Sequence, residues 1–308
     1  MPVTEVVIVR HAHRQTWIVD TIDREYRPAQ SNPTGIATDP ALTEHGIKQS
    51  EEVGVAMEKL LRQNQPGHRI AIFSSPFYRC LQTIAPTVAR MRRQGWGGFV
   101  HIEAGFGEWF GTAPFNHPAP LDPANMHAKF FDFVHPTYQS QAQAPSGPEP
   151  YQDLRRRVQK ALHSSISKVE TDAVAEGKKD AKITLVIVCH TAPVIMLGRC
   201  LTNSWPVDVG TDEFKCFLAG ISKYQRYETK ATITTTPSGH PITNNQVAWW
   251  QGQPGHPEGW EVSMNSDCSH LSAGPEGGWH FGSEHVQDQR IVRGEDGHRI
   301  FTNNFKLE

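Results

Sequence analysis

Short apolar runs alternate with long helical patterns through residues 3–201, and this alternation limits the possible folds more than any other feature of the chain. Val3–Val9 and Lys182–His190 are rich in β-branched and apolar residues, and each predicts a buried strand. Strands that alternate with helices form βαβ units, in which helices cover both faces of a parallel sheet. The chain is therefore predicted to have an α/β fold, a three-layer sandwich with a mainly parallel central sheet.

Turn residues and hydrophobic spacing place the other elements. We expect strands at residues 69–75 and 100–102, and helices at residues 43–63, 76–93, 151–169 and 193–201. Residues 112–150 contain eight prolines and predict an irregular insertion or lid with one short helix around residues 125–133. We divide the chain into a domain over residues 1–225 and a β/loop-rich extension over residues 226–308. We expect the extension to pack on the domain through its tryptophans, Trp249, Trp250, Trp260 and Trp279.

The composition excludes several classes of function. The chain has 30 Lys and Arg residues against 32 Asp and Glu residues, whereas a nucleic-acid-binding surface needs a concentrated basic face. Residues 183–189 form the longest apolar stretch, which is too short to span a bilayer, and the first residues show no secretory signal pattern. Five scattered cysteines without CxxC pairs predict a reducing compartment, cytoplasmic or nuclear. We therefore expect no direct nucleic-acid or membrane binding.

Polar residues follow the predicted parallel strands where those strands end. They occupy residues 10–14, 74–80 and 189–191, and they bring His11 and His190 together with three arginines to one edge of the sheet. Open α/β sheets bind their ligands at this edge. The arginine fork matches the oxygens of a phosphate group, and an imidazole can attack phosphorus. The pattern therefore indicates a phosphoryl-transfer site.

Four motifs carry a family resemblance: RHAHR, SSPFYRCLQT, EAGFGEWFG and VCHTAP. In this order they resemble the histidine phosphatase superfamily, branch 1 (phosphoglycerate-mutase-like), over roughly residues 3–225. The segments PTGIATDPALTEHG and NSDCSHLSAGPEGGWHFG are similar to fungal members that resemble the phosphatase-like subunit of the RNA polymerase III factor TFIIIC. The resemblance implies a phosphatase that needs neither a cofactor nor a metal.

The resemblance also implies roles for individual residues. His11 is expected to be the nucleophile that becomes phosphohistidine, and His190 is expected to complete the pocket. The residues expected to bind the phosphoryl oxygens are Arg10, Arg14 and Arg79. The acid that protonates the leaving oxygen is expected to be Glu108 or Glu103, with Glu108 slightly favoured. The residues expected to line the substrate pocket are Ala12, Trp17 and Thr191.

Ala12 departs from the family pattern, in which a glycine follows the Arg-His pair. If that position requires a positive φ, the alanine costs on the order of 1 kcal/mol and shifts His11. Two other groups of side chains could be taken for functional sites, one for a nucleophilic cysteine and one for a zinc site. Cys189 beside His190 is interpreted as a buried small hydrophobe rather than a nucleophile. The spacing of Cys268, His270, His280 and His285 does not match a standard zinc site.

Two classes of function remain open. The first is a metal-independent phosphatase acting on a small-molecule or protein phosphate through phospho-His11. The alternative is a catalytically weak or repurposed phosphatase-like protein, either a scaffold or interaction subunit or a biosynthetic enzyme using the same pocket. A phosphomutase fits less well, because residues 112–150 contain one lysine, Lys129, and no arginine. A homodimer or a protein partner is expected to use the C-terminal extension.

Overall fold

The structure, a computed structural model, describes most of the chain outside the distal extension. The described residues are 3–20, 25–62, 68–178, 180–228, 233–235, 241–243, 258–282, 292–293 and 299–302. The predictions for Trp249, Trp250 and His285 lie outside the described residues.

Helices and strands alternate along the described part of the chain, as predicted. The helices are α1 (Glu44–Arg62), α2 (Tyr78–Arg93), α3 (Pro123–Lys129), α4 (Tyr151–Ala175) and α5 (Thr191–Thr202), with a 3₁₀ turn at Ala104–Phe106. The strands are β1 (Val3–Arg10), β2 (Trp17–Asp20), β3 (Glu25–Pro28), β4 (Arg69–Ser74), β5 (Val100–Ile102), β6 (Ile183–Cys189), β7 (Ile221–Glu228), β8 (Ile233–Thr235), β9 (Pro241–Thr243), β10 (Glu258–Asp267), β11 (Val292–Arg293) and β12 (Arg299–Thr302).

The main sheet has the order β10-β7-β1-β6-β4-β5 among the described strands. Strands β1, β6, β4 and β5 are mutually parallel, whereas β7 and β10 extend the sheet with antiparallel pairs. Arg10 pairs with Cys189, and Ser74 pairs with both Val188 and Ile102. The mainly parallel sheet is confirmed, and the carboxyl ends of its four parallel strands lie together.

Helices cover both faces of this sheet and make the three layers. Side chains alternate along a strand, so Val6 and Ile8 of β1 pack against α4 and α5, whereas Val7 and Val9 pack against α1 and α2. Every residue of β6 is buried, as expected for a central strand that is covered on both faces. The two apolar layers fix the plane of the sheet and hence the position of its polar edge.

Several element boundaries differ from the predictions. Helix α4 continues to Ala175, because Val169 and Ala173 extend its buried face past the predicted end. Helix α3 ends at Lys129, before the predicted end at residue 133. Strands β2 and β3 were not predicted; they pair with each other in a separate sheet that also includes β12. Strands of four residues are too short to show a clear alternation of apolar and polar side chains.

The extension contributes a strand to the main sheet. The predicted boundary between residues 225 and 226 falls inside β7, and β10 pairs antiparallel with β7. Trp260 of β10 is 3% exposed and belongs to the same apolar cluster as α4, α5 and Phe281. In the described part of the chain, no helix combines the length and the apolar character that a membrane crossing requires.

Candidate active site

The parallel strand ends bring the two predicted catalytic histidines together. His11 follows β1, His190 follows β6, and their ring centroids are 5.2 Å apart in an edge-to-face arrangement. His11 is 3% exposed and His190 is fully buried. Arg79 lies in the first turn of α2, which follows β4, and it is also fully buried. The three side chains therefore share one buried pocket at the edge of the sheet.

The ring of His11 has a defined tautomer. Its Nδ1 lies 2.8 Å from the carbonyl oxygen of Ala12, which can only accept a hydrogen bond. Nδ1 must therefore carry the proton and donate it, which leaves the lone pair on Nε2. Burial, followed by the positive charge of Arg79, lowers the pKa of His11 well below its ordinary value. The ring is neutral at physiological pH with its unprotonated nitrogen available.

Ala12 takes an ordinary backbone conformation. The non-glycine residues with a positive φ in the described part of the chain are Asn203, Ala219 and Ser266, so Ala12 carries no left-handed strain. Its backbone N–H donates to the Thr83 hydroxyl at 3.0 Å, and its methyl group packs in the apolar cluster beneath α2. The replacement of the family glycine therefore does not force the backbone at His11 out of place.

The loop after His11 is held by the start of α1. His13 Nδ1 lies 2.8 Å from the Thr43 hydroxyl, and the His13 backbone N–H donates to the side chain of Gln49 at 2.9 Å. A Cβ at Gly46 would stand 1.9 Å from the His13 carbonyl oxygen. Only glycine permits this approach, so Gly46 lets α1 buttress the loop.

His190 bridges the predicted acid and a serine that the sequence analysis did not select. Its Nδ1 lies 3.3 Å from Glu108 Oε2, and its Nε2 lies 2.7 Å from the Ser75 hydroxyl. Burial lowers the pKa of His190 to about 4, against the opposing charge of Glu108. The NH2 of Arg79, which can only donate, also lies 3.3 Å from Nδ1, so this nitrogen faces a donor and an acceptor at equal distances. Ser75 belongs to the SSPFYRC motif, and its place in that motif could have identified it as a pocket residue.

Arg79 is the most connected cation of the pocket. Its NH2 donates to Glu108 at 3.0 Å, and its NH1 donates to the carbonyl oxygen of Thr38 at 3.0 Å. Asp39 lies 3.7 Å from NH1. Burial raises the pKa of Asp39 to about 6, although the Arg79 charge opposes the increase. The Nε of Arg79 is buried and has no partner among the described residues, so this donor is available to a bound oxygen.

Arg14 and Arg10 reach the pocket from either side of His11. The guanidinium carbon of Arg14 lies 3.7 Å from the centroid of the Trp17 ring, so Trp17 supports the cation from below. The NH1 of Arg10 donates to the carbonyl oxygens of Cys216 and Gly277. Burial lowers the pKa of both guanidinium groups, which remain charged. All three predicted phosphate-binding arginines therefore surround the histidine pair.

The two candidates for the acid have different surroundings. Glu108 contacts Arg79 and His190, and its side chain is 15% exposed. Glu103 is fully buried, and its carboxylate accepts hydrogen bonds from Gly105 N, Tyr138 Oη, Gln141 N and Ala142 N. A carboxylate that accepts four hydrogen bonds has no proton to give, so Glu103 holds the loops together. The structure brings Glu108 into the pocket and leaves Glu103 outside it.

The electrostatics of Glu108 depend on what fills the pocket. Burial raises its pKa, but His190 and Arg79 outweigh that effect, and the pKa stands well below its ordinary value. In the field of these two side chains, Glu108 is therefore ionised. A phosphoryl group with two negative charges between the arginines and Glu108 would reverse the local field and favour the protonated acid.

A buried ion pair that the sequence analysis missed supports the Glu108 loop. Arg157 of α4 forms a two-pronged pair with Glu149, at 2.7 Å for both hydrogen bonds. The same guanidinium donates to the carbonyl oxygens of Gly105 and Gly107, both at 3.0 Å. This pair holds the turn that carries Glu108. Neither residue stands in a motif that the sequence analysis used, so no local signal indicated them.

Aromatic side chains line the pocket beside Glu108. Phe77 lies 5.1 Å from the His190 ring in an edge-to-face contact, and Phe110 lies 6.3 Å from Phe77 and 6.5 Å from Trp17. Thr191 is the first residue of α5, directly after His190, and it is partly exposed. Cys189 is fully buried, and burial raises the pKa of its thiol, which agrees with its interpretation as a small hydrophobe.

The pocket favours an anion over a cation. His11, Glu108 and His190 are close enough that their ligand atoms all lie within 4.8 Å of one another, a spacing that a metal ion could use. Three guanidinium groups surround them, however, and their charges lower the pKa of His11. The same field repels a metal ion and attracts phosphate.

Comparisons with known proteins agree with this geometry. The family model for the histidine phosphatase superfamily (branch 1) matches residues 6–237. The transcription factor tau 55 kDa subunit of Saccharomyces cerevisiae is 28% identical over 289 residues, which cover 91% of this chain and 59% of that protein. This chain therefore spans less than two thirds of that relative.

Solved structures show the same kind of likeness. The ecdysone phosphate phosphatase of Bombyx mori, in complex with tungstate, is 17% identical, with 72% of this chain and 89% of that chain covered and a TM-score of 0.50. A mycobacterial glucosyl-3-phosphoglycerate phosphatase is 16% identical, with 85% of this chain and 98% of that chain covered and a TM-score of 0.44.

Proposed function

This chain belongs to branch 1 of the histidine phosphatase superfamily, and on that premise we propose that it is a metal-independent phosphatase that hydrolyses a phosphomonoester through a phosphohistidine on His11. One observation carries the proposal. A buried neutral imidazole, with its proton held on Nδ1 by the Ala12 carbonyl, faces a second buried histidine inside a ring of three arginines. This arrangement suits the attack of Nε2 on a phosphorus atom.

In the first half of the reaction, the lone pair on His11 Nε2 forms the N–P bond. The bond between phosphorus and the ester oxygen breaks, and its electron pair goes to the leaving oxygen, which takes a proton from Glu108. Arg10, Arg14 and Arg79 offset the charge on the phosphoryl oxygens. The Nδ1 proton stays in its hydrogen bond to Ala12, so the product is an N-phosphorylated imidazolium.

In the second half, water attacks the phosphorus of phospho-His11. Glu108, now a carboxylate, takes a proton from that water, and the N–P bond breaks with its electron pair returning to Nε2. Inorganic phosphate leaves, and His11 is neutral again. Glu108 must therefore gain a proton when the substrate binds, since His190 and Arg79 by themselves keep it ionised. The proposal implies proton uptake on binding.

A second candidate function is supported by the tau 55 kDa relative. A match over 91% of this chain to a transcription factor subunit favours a role as a phosphatase-like subunit of a nuclear protein assembly, with little or no turnover. In that case the pocket would bind phosphate or a phosphorylated segment of a protein without hydrolysing it. The two candidates differ in one measurable property, which is turnover at His11.

The test compares the wild type with His11→Asn, which keeps a polar side chain of similar size but cannot form a stable phosphoryl adduct. Phosphate release is measured over a panel of sugar phosphates, nucleotides, phosphotyrosine and p-nitrophenyl phosphate. We expect His11→Asn to lose at least a thousandfold in kcat/KM, on the order of the loss for a missing catalytic group. Quenching the wild type in alkaline SDS after reaction with a ³²P-labelled substrate should trap a phosphohistidine, which is stable in base and labile in acid.

The matched control is His163→Asn, which changes an exposed histidine on α4 and should retain full activity. The same assay is run after EDTA treatment, and we expect no loss. If wild type and His11→Asn release phosphate equally while both bind inorganic phosphate, the phosphatase proposal fails and the subunit candidate takes its place.

A further inference from the structure

The segment Glu276–Trp279 of the extension, here called the strap, lies against the loop that precedes β7. The Leu218 backbone N–H donates to the Glu276 carbonyl oxygen at 2.9 Å, and the Cys216 thiol donates to the Trp279 carbonyl oxygen at 2.9 Å. The strap is therefore joined to residues 216–218 at both of its ends.

Arg10 bridges these two segments. Its NH1 donates to the carbonyl oxygen of Cys216 in the loop and to that of Gly277 in the strap. Two acceptors on one terminal nitrogen fix the plane of a guanidinium, because the group is rigid and planar. The Nε of Arg10 is buried and has no partner among the described residues, so it keeps a donor for a ligand.

The strap is also tied to the loop that follows His11. The Glu276 carboxylate lies 2.9 Å from His45 Nε2 and 3.4 Å from Gln49 Nε2. The amide oxygen of Gln49, Oε1, accepts a hydrogen bond from the His13 backbone N–H at 2.9 Å. A chain of hydrogen bonds therefore runs from the strap through α1 to the loop of the predicted nucleophile.

We propose that the strap is part of the phosphate-binding site, with Gly277 and Glu276 as positioning residues that hold Arg10 for the phosphoryl oxygens. The inference rests on the proposed function for its link to catalysis, but its central claim is about phosphate affinity. The extension then has a role in the site, since without the strap the Arg10 guanidinium would keep a single carbonyl acceptor among the described residues, that of Cys216.

The backbone at Gly277 makes a sharp test possible. Gly277 has φ +60°, and a Cβ there would meet Leu218 Cδ1 at 2.9 Å and stand 4.0 Å from Arg10 NH1. Gly274 has φ +76°, and a Cβ there would meet nothing within 4 Å. Both Gly→Ala changes strain a left-handed backbone to a similar degree, but only Gly277 touches the Arg10 anchor.

The experiment measures the affinity of the full chain for inorganic phosphate by calorimetry, which requires no turnover. We expect Gly277→Ala to weaken binding about tenfold and Gly274→Ala to change it less than twofold. In an Arg10→Ala background, which itself weakens binding, the further effect of Gly277→Ala should fall below twofold, because coupled residues are not additive. Thermal unfolding of each variant is measured alongside.

Equal losses from Gly274→Ala and Gly277→Ala would overturn the inference, as would a full tenfold effect of Gly277→Ala in the Arg10→Ala background. If Gly277→Ala does not fold, Glu276→Ala replaces it, with an expected loss of at least threefold that also disappears in the Arg10→Ala background. A wild type that binds phosphate but hydrolyses no phosphoester would refute the proposed phosphatase and leave the positioning by the strap intact.

Discussion

The parallel and antiparallel halves of the main sheet build the candidate site in different ways. Strands β1, β4 and β6 deliver side chains at their carboxyl ends, among them His11, Arg79 and His190. The antiparallel half, with β7 and β10, delivers backbone groups instead, such as the carbonyl oxygens of Cys216 and Gly277 beside Arg10. The reactive groups therefore come from one half, and the other half holds them in position.

This difference predicts a gradient of mutational effects. Changes in the parallel half should remove chemistry, whereas changes in the antiparallel half should alter position or stability and leave the chemistry in place. Three further experiments test this gradient, from the largest expected effect on turnover to the smallest.

Replacing Arg79 is the strongest test of the difference between the two halves of the sheet. Arg79→Ala removes the proposed donor to the phosphoryl group and leaves Asp39 buried without its cation. We expect kcat/KM to fall about a thousandfold. We also expect the free energy of unfolding to fall by about 3 kcal/mol, because one partner of a buried ion pair is lost. Phosphate-release kinetics and thermal unfolding measure the two effects.

The matched control is Arg156→Ala, which removes a guanidinium that is 75% exposed and pairs with Asp153 on the surface of α4. Surface pairs of this kind contribute little, so stability should change by less than about 0.5 kcal/mol and turnover should stay the same. If Arg79→Ala turns over substrate at a rate within threefold of the wild type, the prediction that the parallel half supplies the reactive groups is wrong for Arg79.

Glu108→Gln and Glu103→Gln should separate chemistry from support within one segment. Glu108→Gln removes the proposed acid. We expect about a hundredfold loss on alkyl phosphates and little loss on p-nitrophenyl phosphate, because p-nitrophenolate leaves without a proton. Glu103→Gln places an NH₂ group against donors, which should cost about 1–3 kcal/mol of stability with kcat unchanged. Leaving-group kinetics and denaturant unfolding measure the pair.

The pH profile provides the control for this pair. His11 stays neutral until the pH falls below its lowered pKa, so activity should persist into mildly acidic solution. Activity should fall as the pH rises, because Glu108 in the substrate complex then loses the proton that the leaving oxygen needs. Glu108→Gln should abolish that alkaline decrease on alkyl phosphates. An alkaline decrease that remains unchanged in Glu108→Gln would assign the acid to another group.

The smallest effect on turnover is expected in the antiparallel half. Trp260→Ala empties a buried site on β10 and should lower the free energy of unfolding by about 3 kcal/mol. Because Trp260 contacts no group of the pocket in the described structure, kcat per folded molecule should stay within twofold. Tyr227→Ala, at a side chain 46% exposed on neighbouring β7, is the control and should change stability by less than about 0.5 kcal/mol. A tenfold loss of kcat in Trp260→Ala would show that β10 does more than stabilise.

The sequence predicts the parallel half well and the antiparallel half poorly, for a physical reason. His11, Arg79 and His190 are identifiable because their chemistry belongs to the side chain and their positions follow apolar strands. The carbonyl of Gly277 cannot be identified from the sequence in this way, because every residue has a backbone carbonyl group. Glu103 and Glu108 stand in one motif, so the motif does not separate them. The hydrogen bonds that Glu103 accepts from Tyr138 and Ala142, which are distant in sequence, show that its carboxylate supports the loops.

The position of β1 in the sheet has a consequence for the order of folding. Val6 pairs with Leu185 on one side and with Tyr224 on the other, so both neighbours of β1 are synthesised long after it. Pairings between residues so far apart in sequence close slowly, because a long loop must be ordered before the contact forms. During synthesis on the ribosome, His11 therefore emerges long before the strands that complete its native surroundings. We expect the pocket to assemble only after β7 has left the exit tunnel, so a nascent chain that stops short of β7 should bind no phosphate.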